Sequence, residues 1–272
     1  MTRGDGDRLP RSFREALRSE YARTLQWPYE TILTLSINAI LVIVGWWFMP
    51  PWIEDLMFSN HKPMAFAVIM AVWMYSDVPT TNQPGSDSTR FLAALDDPDV
   101  LRRMIWARKF VLWSIITPVA AIASVWLGLA QDRMTAAMFG LIWVVIAPIG
   151  VLSLAPLLGI RFPYHPMTLK ERWSKRADWR RMGVRWGILI VAPYAWVPVL
   201  GWVLTAPALF VWGASWSGAF PEHIPLARFA AGTLVGLITT QIGARFGWRW
   251  SRWLLVVRRE DLRRELADPD LG

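Results

Sequence analysis

The chain has 272 residues, 54% of them apolar and only 18% charged, and it has no cysteine, which excludes disulfides, thiolate nucleophiles, iron–sulfur clusters and thiolate zinc sites. A net charge of +8 and an isoelectric point near 10.4 would suit nucleic acid. The charged residues, however, sit in blocks between long stretches that hold almost none, a distribution that points to the bilayer instead.

The stretch from Met1 to Arg8 is polar for too long to be a cleavable signal peptide, so the first apolar segment is expected to stay as a membrane span. Ser12 and Glu15 have capping-box spacing. Phe13, Leu17, Tyr21 and Leu25 then recur every fourth residue among Arg14, Arg18 and Arg23. That pattern predicts a basic amphipathic helix on the inner leaflet before the chain turns in at Trp27-Pro28. Six apolar runs follow, most of them near the ~17–25 residues a helix needs to cross ~30 Å of hydrocarbon. They cover Thr31 to Met49, Met64 to Val78, Phe110 to Ala130, Met134 to Ile160, a segment from Trp186, and Leu226 to Ala244. The second is short and framed by Pro63 and Pro79; the fourth is long enough to be tilted or kinked at Pro148 and Pro156. Trp46, Trp47, Trp52, Trp106, Trp248 and Trp250 stand where apolar runs meet charged ones, as aromatic belts do at the headgroup level.

From Trp186 to Trp216 the sequence is apolar for too long to cross once and too short to cross twice, and Pro193, Pro198, Gly201, Pro207 and Gly213 interrupt it. Such backbone predicts a re-entrant or outer-leaflet helical hairpin over Val199 to Trp216. A seventh span is the alternative, and it would put the C-terminus outside. Orientation comes from Lys and Arg. Of the 29, all but Lys62, Arg133 and Arg228 fall in the N-terminal segment, the Val78–Lys109 loop, the Arg161–Arg185 loop and the tail from Arg245. This alternation predicts an even number of spans with both termini cytoplasmic, and it explains the high isoelectric point as topology rather than nucleic-acid binding. The expected fold is therefore an all-α, polytopic helical bundle of the cell (plasma) membrane. It comprises a connecting helix over 1–29, a six-span domain over 30–247 and a basic cytoplasmic tail over 248–272.

In the first cytoplasmic loop, Asp77-Val78-Pro79 and the turn-forming Asn82-Gln83-Pro84-Gly85 precede a short helix through Arg90, Phe91, Leu92 and Leu95. Asp97-Pro98 has the cap and first-turn pattern of a second helix, which continues past Arg102, Arg103, Trp106, Arg108 and Lys109 into the third span. The short helix is expected to expose Phe91, Leu92 and Leu95. Apolar residues ringed by charge suit a partner's groove or the lipid surface.

This layout resembles the permease subunits of ATP-binding cassette exporters: an inner-leaflet helix, two spans enclosing a loop with a short helix over Ser88 to Pro98, and a third span entered through Arg108-Lys109. It is most similar to the six-span type-two class of bacterial drug, lipid and glycan exporters. The second loop, Arg161 to Pro166 and Thr168 to Trp173, and the span entry Arg185 to Tyr194 are similar to actinobacterial permeases of this kind. The hairpin resembles the extracellular re-entrant helices of the class. The resemblance implies that Arg90, Phe91, Leu92 and Leu95 form a coupling helix seated in an ATPase subunit. It also implies that Phe13 to Trp27 is the connecting helix at the same surface. Two permease subunits, identical or merely similar, would face each other across a path nearest the first, second and fifth spans. A hydrophobic or amphipathic substrate would move by alternating access. No cofactor is expected on this chain, which lacks a Gly-x-x-x-x-Gly-Lys-Ser/Thr loop; ATP belongs to the partner subunit.

Two other classes compete. An ion-coupled carrier needs ionisable groups inside the membrane, and the spans hold none well inside, with Asp77 and Arg228 at their edges. A lipid-modifying enzyme needs converging acids and bases, yet His61, His165 and His223 fall on loops assigned to alternate sides, and Asp97 is accounted for as a cap. Gly232 and Gly236 form a Gly-x-x-x-Gly pair read as internal helix packing. Thr239 and Thr240 read as structural. Asn38 and Gln241 are the candidate pathway-lining residues.

Overall fold

The computed structural model describes residues 9–27, 29–53, 62–76, 78–163, 179–213 and 224–267. Among them every regular element is a helix. Helix α1 (Phe13–Thr24) begins where Ser12 Oγ accepts the N–H of Glu15 at 3.2 Å; the Glu15 carboxylate in turn accepts the N–H of Arg11 at 2.8 Å. Helix α2 (Glu30–Trp47) has 18 residues and α3 (Lys62–Tyr75) has 14. At 1.5 Å per residue they measure about 27 and about 21 Å, short of the ~30 Å hydrocarbon thickness.

Two single turns follow, α4 (Val78–Thr81) and α5 (Gln83–Ser86). The segment Asn82-Gln83-Pro84-Gly85, expected as a surface turn, is buried. It lies under α9 (Pro156–Arg161), where Gly159 sits so close that a Cβ would come within 2.4 Å of the Thr81 carbonyl oxygen. Helix α6 (Ser88–Ala94) leads to α7 (Pro98–Ala130), which runs unbroken for 33 residues from the loop into the bilayer-length segment. Asp97 caps it by accepting the N–H groups of Asp99 (3.0 Å) and Val100 (3.1 Å), and Pro98 fills the first turn as the sequence predicts. Helix α8 (Met134–Leu154) passes Pro148 without ending, and the fourth run breaks at Ala155-Pro156 instead.

Helix α10 (Trp179–Trp212) corrects the hairpin expectation. It continues through Pro193, Pro198 and Pro207 with no turn between Val199 and Trp212. The reason is a buried stripe at helical spacing, Val197, Leu200, Leu204, Ala208 and Trp212, which keeps one face packed on α8 and on α11 (Leu226–Val257). Packing along that face holds the helix together where each proline removes a backbone hydrogen bond. The last element, α12 (Arg259–Ala267), folds back onto α6.

Among the described residues three helices are long and apolar enough to cross a membrane: Pro98–Ala130, Met134–Arg161 and Val191–Trp212. Helix α11 has comparable length, 32 residues, but carries Arg228, Thr239, Thr240 and Gln241. The Met134–Arg161 segment is the hub. Of its most apolar 18-residue stretch 67% is buried, against 39% in each of the other two, and α8 touches α3, α7, α10 and α11. Outward, Leu33, Ile40, Ile122, Trp126, Val203 and Phe210 are exposed. A bundle whose outside is apolar is suited to lipid rather than water. Small residues let the helices close: Gly232 faces the Trp212 indole at a distance that leaves no room for a Cβ, and Gly236 meets Ala208. The Gly-x-x-x-Gly pair therefore packs inside the chain. His61, Asp77, His165, His223, Trp216 and the loop Tyr164–Trp173 lie outside the described residues.

Candidate functional site

The densest polar cluster gathers around α6. Arg90 points away from solvent, and its Nη1 donates to Glu20 Oε1 of α1 at 2.7 Å, with side-chain exposures of 3% and 8%. Arg23, one turn further along α1, pairs with Asp87 at the start of α6 and lies 3.8 Å from Glu20. Arg108 of α7 is within electrostatic range of all four charges. Two guanidiniums and two carboxylates thus lock α1 to α6 at a depth where losing one partner would strand the others. Helix α1 approaches closely because the face it buries is Ala16, Glu20 and Thr24. Tyr21 adds a hydroxyl contact of 2.6 Å to Ser114 of α7.

The other side of α6 is apolar and covered. Phe91 (3% exposed) and Leu95 (6%) join a core with Val100, Leu101, Met104, Ile105 and, from α12, Leu262 and Leu266. This corrects the expectation that Phe91, Leu92 and Leu95 are free for a partner: the chain's own C-terminal helix occupies that side. Asp96, in the bend after α6, pairs with Arg259 and with Arg263 at 2.7 Å, pinning α12 in place. Arg258 Nη1 donates to the Ile160 carbonyl at 2.8 Å and its Nη2 to Glu265 at 2.8 Å, which fixes the α11–α12 corner. Of the four residues expected at a partner interface, only Leu92 remains half-exposed; beside it Thr89 and Ala93, one turn apart, face solvent.

The two candidate pathway residues stand in different surroundings. Asn38 of α2 is buried, and its Oδ1 accepts from Trp73 Nε1 of α3 (3.2 Å) and from the Tyr194 hydroxyl of α10 (3.4 Å). The Trp73 and Tyr194 rings pack at 4.8 Å. Gln241 is exposed on α11 in a basic cleft beside α7. Thr239 donates to the Leu204 carbonyl at 2.6 Å and so ties α11 to α10, as a structural residue would.

Comparisons with protein-family models, curated proteins and solved structures return no match. The geometry of this chain carries the functional reading. Among the described residues no cluster of three carboxylates or imidazoles stands close enough to hold a metal ion. Sequence reading missed Glu20 and Asp87 as the partners of Arg90 and Arg23, and it missed α12 as a lid on α6. A signal existed for each. Ala16, Glu20 and Thr24 mark a small and polar stripe beside the apolar one, and Leu262 and Leu266 are an i, i+4 apolar pair within a charged tail.

Proposed function

We propose that this chain is the membrane-spanning permease subunit of an ATP-driven exporter of the ATP-binding cassette kind. It would sit in the plasma membrane, work as a dimer with itself or a similar subunit, and rely on ATP hydrolysed by a separate polypeptide. In this reading α2, α3, α7, α8, α10 and α11 are the six spans. Their Lys and Arg distribution puts both termini in the cytoplasm.

The observation that carries the proposal is the build of α6. It is fastened to α1 by buried ion pairs, to α12 by an apolar core, and to the 33-residue α7 by the Asp97 cap. Force applied to α6 would pass directly into α7, and through it to the hub helix α8. A rigid element of this kind suits the transmission of ATPase movement to the spans. The docking edge is the stripe Thr89, Leu92 and Ala93, since Phe91 and Leu95 face inward. Supporting the expected path, Asn38 joins α2, α3 and α10, the first, second and fifth spans. The substrate would be a hydrophobic or amphipathic molecule.

Copurification tests this. Wild-type chain, co-expressed with ABC ATPases encoded beside it, is expected to retain one of them. Ala93→Arg, at an exposed position, is expected to lower the retained ATPase about tenfold without loss of folded protein. Failure of every such ATPase to associate with the wild-type chain would refute the assignment.

A further inference from the structure

Where α7 and α11 diverge at their basic ends, they and the first residue of α1 enclose an open cleft of about 520 Å³. Three arginines line it, Arg102 and Arg103 from α7 and Arg245 from α11, and no acidic side chain does. Elsewhere on this surface guanidiniums have carboxylates: Arg23, Arg90 and Arg258 are all paired. The Arg103 Nε is buried without a hydrogen-bond partner, as are Arg90 Nε and Nη2 in the ion-pair block. Three guanidiniums gathered without a carboxylate repel one another unless an anion arrives from outside. The Lys109 Nζ lies 5.2 Å from the centre of the Trp106 ring.

Phe13, Trp106 and Trp248 supply aromatic walls, and Gln241 and Ala244 complete the lining. Indoles beside guanidiniums mark the depth at which headgroups meet acyl chains. The faces that line the cleft continue toward the bilayer centre as exposed apolar side chains. Phe110 lies one turn beyond Trp106 on α7, and Ile238 one turn before Gln241 on the antiparallel α11. A soluble anion would use the arginines and leave that apolar track empty; a lipid would use both.

We propose that this cleft binds an anionic phospholipid. The phosphodiester is held by the guanidiniums of Arg102, Arg103 and Arg245, and the acyl chains lie along Phe110 and Ile238. Guanidinium forks match phosphate oxygens in pairs, and basic pockets between membrane helices take such headgroups on the positively charged side. The lipid would bridge α1, α7 and α11, the helices flanking the α6 block.

The test is native mass spectrometry of the full-length chain, delipidated in detergent and titrated in turn with phosphatidylglycerol, phosphatidylcholine and glycerol phosphate. Phosphatidylglycerol is expected to bind at least about tenfold more tightly than phosphatidylcholine, and Arg103→Gln and Arg245→Gln are each expected to weaken it about fivefold. Arg252→Gln, which removes an exposed charge on α11 outside the cleft, should leave binding unchanged. Arg245 is itself exposed, so its variant keeps the test open should Arg103→Gln fail to fold. Equal binding of phosphatidylcholine would overturn the proposal. So would glycerol phosphate binding as tightly as the lipid, or Arg252→Gln weakening binding as much as Arg245→Gln.

Discussion

A guanidinium shielded from water needs a counter-charge, and Arg90 finds it in Glu20, 70 residues earlier in the chain. Glu20→Gln keeps the shape and removes the charge. It is expected to destabilise the protein by about 1–3 kcal/mol, because Arg90 would keep only Asp87, 4.0 Å away, as a counter-charge. The measurement is thermal unfolding in detergent, and adding Arg90→Met should recover part of the loss; no change on Glu20→Gln would show the pair to be idle. Gly232 is a second sensitive position. A Cβ there would come within 2.1 Å of the Trp212 ring, so Gly232→Val is expected to force α10 and α11 apart and lower the unfolding temperature more than the same change at Gly45, which has open space around it. Little of the residue scale was legible beforehand. The Gly-x-x-x-Gly spacing announced close packing, yet nothing in the sequence says which distant carboxylate will face a given arginine, because tertiary contact decides it.

At the scale of elements, periodicity worked wherever one helix face is packed and failed where composition was read without it. The capping box of α1 and the Asp97-Pro98 start of α7 were legible because both depend on neighbours within three residues. The hairpin over Val199 to Trp216 was inferred from prolines and glycines. The buried stripe from Val197 to Trp212 carries one helix through to Trp212 instead. The tail over 248–272 was read as a basic cytoplasmic segment; its first part extends α11, and Leu262 and Leu266 seal α6. Leu262→Asp should therefore release α12. Hydrogen exchange over residues 88–105 is expected to rise by at least about tenfold, whereas Arg264→Ala, on the exposed side, should leave it unchanged. Protection unaltered by Leu262→Asp would mean that α12 does not hold α6.

For the whole molecule, the question is which side of the bilayer each basic segment occupies. Helices α7, α10 and α11 are about 50, 51 and 48 Å long at 1.5 Å per residue, well beyond the hydrocarbon thickness, so in the proposed topology their arginine-bearing ends would extend past the membrane. The absence of native cysteine makes single-cysteine labelling clean. Cysteines placed at Lys170 and at Gly272 are expected to resist an impermeant thiol reagent in intact cells, and one at Arg133 to react. Labelling from outside at both Lys170 and Gly272 would reverse the orientation and remove the ground for an ATPase partner at α6.

The amino-acid sequence alone determined the helical class, the membrane-length apolar runs and the local starts of α1 and α7. Each of these follows from hydropathy, periodicity or hydrogen bonds a few residues apart. Only the tertiary structure decided that α8 is the hub, that α10 is one helix, that Glu20 neutralises Arg90 and that α12 covers Phe91 and Leu95. These depend on which surfaces meet across long separations in the chain, where burial and charge pairing outweigh local preference.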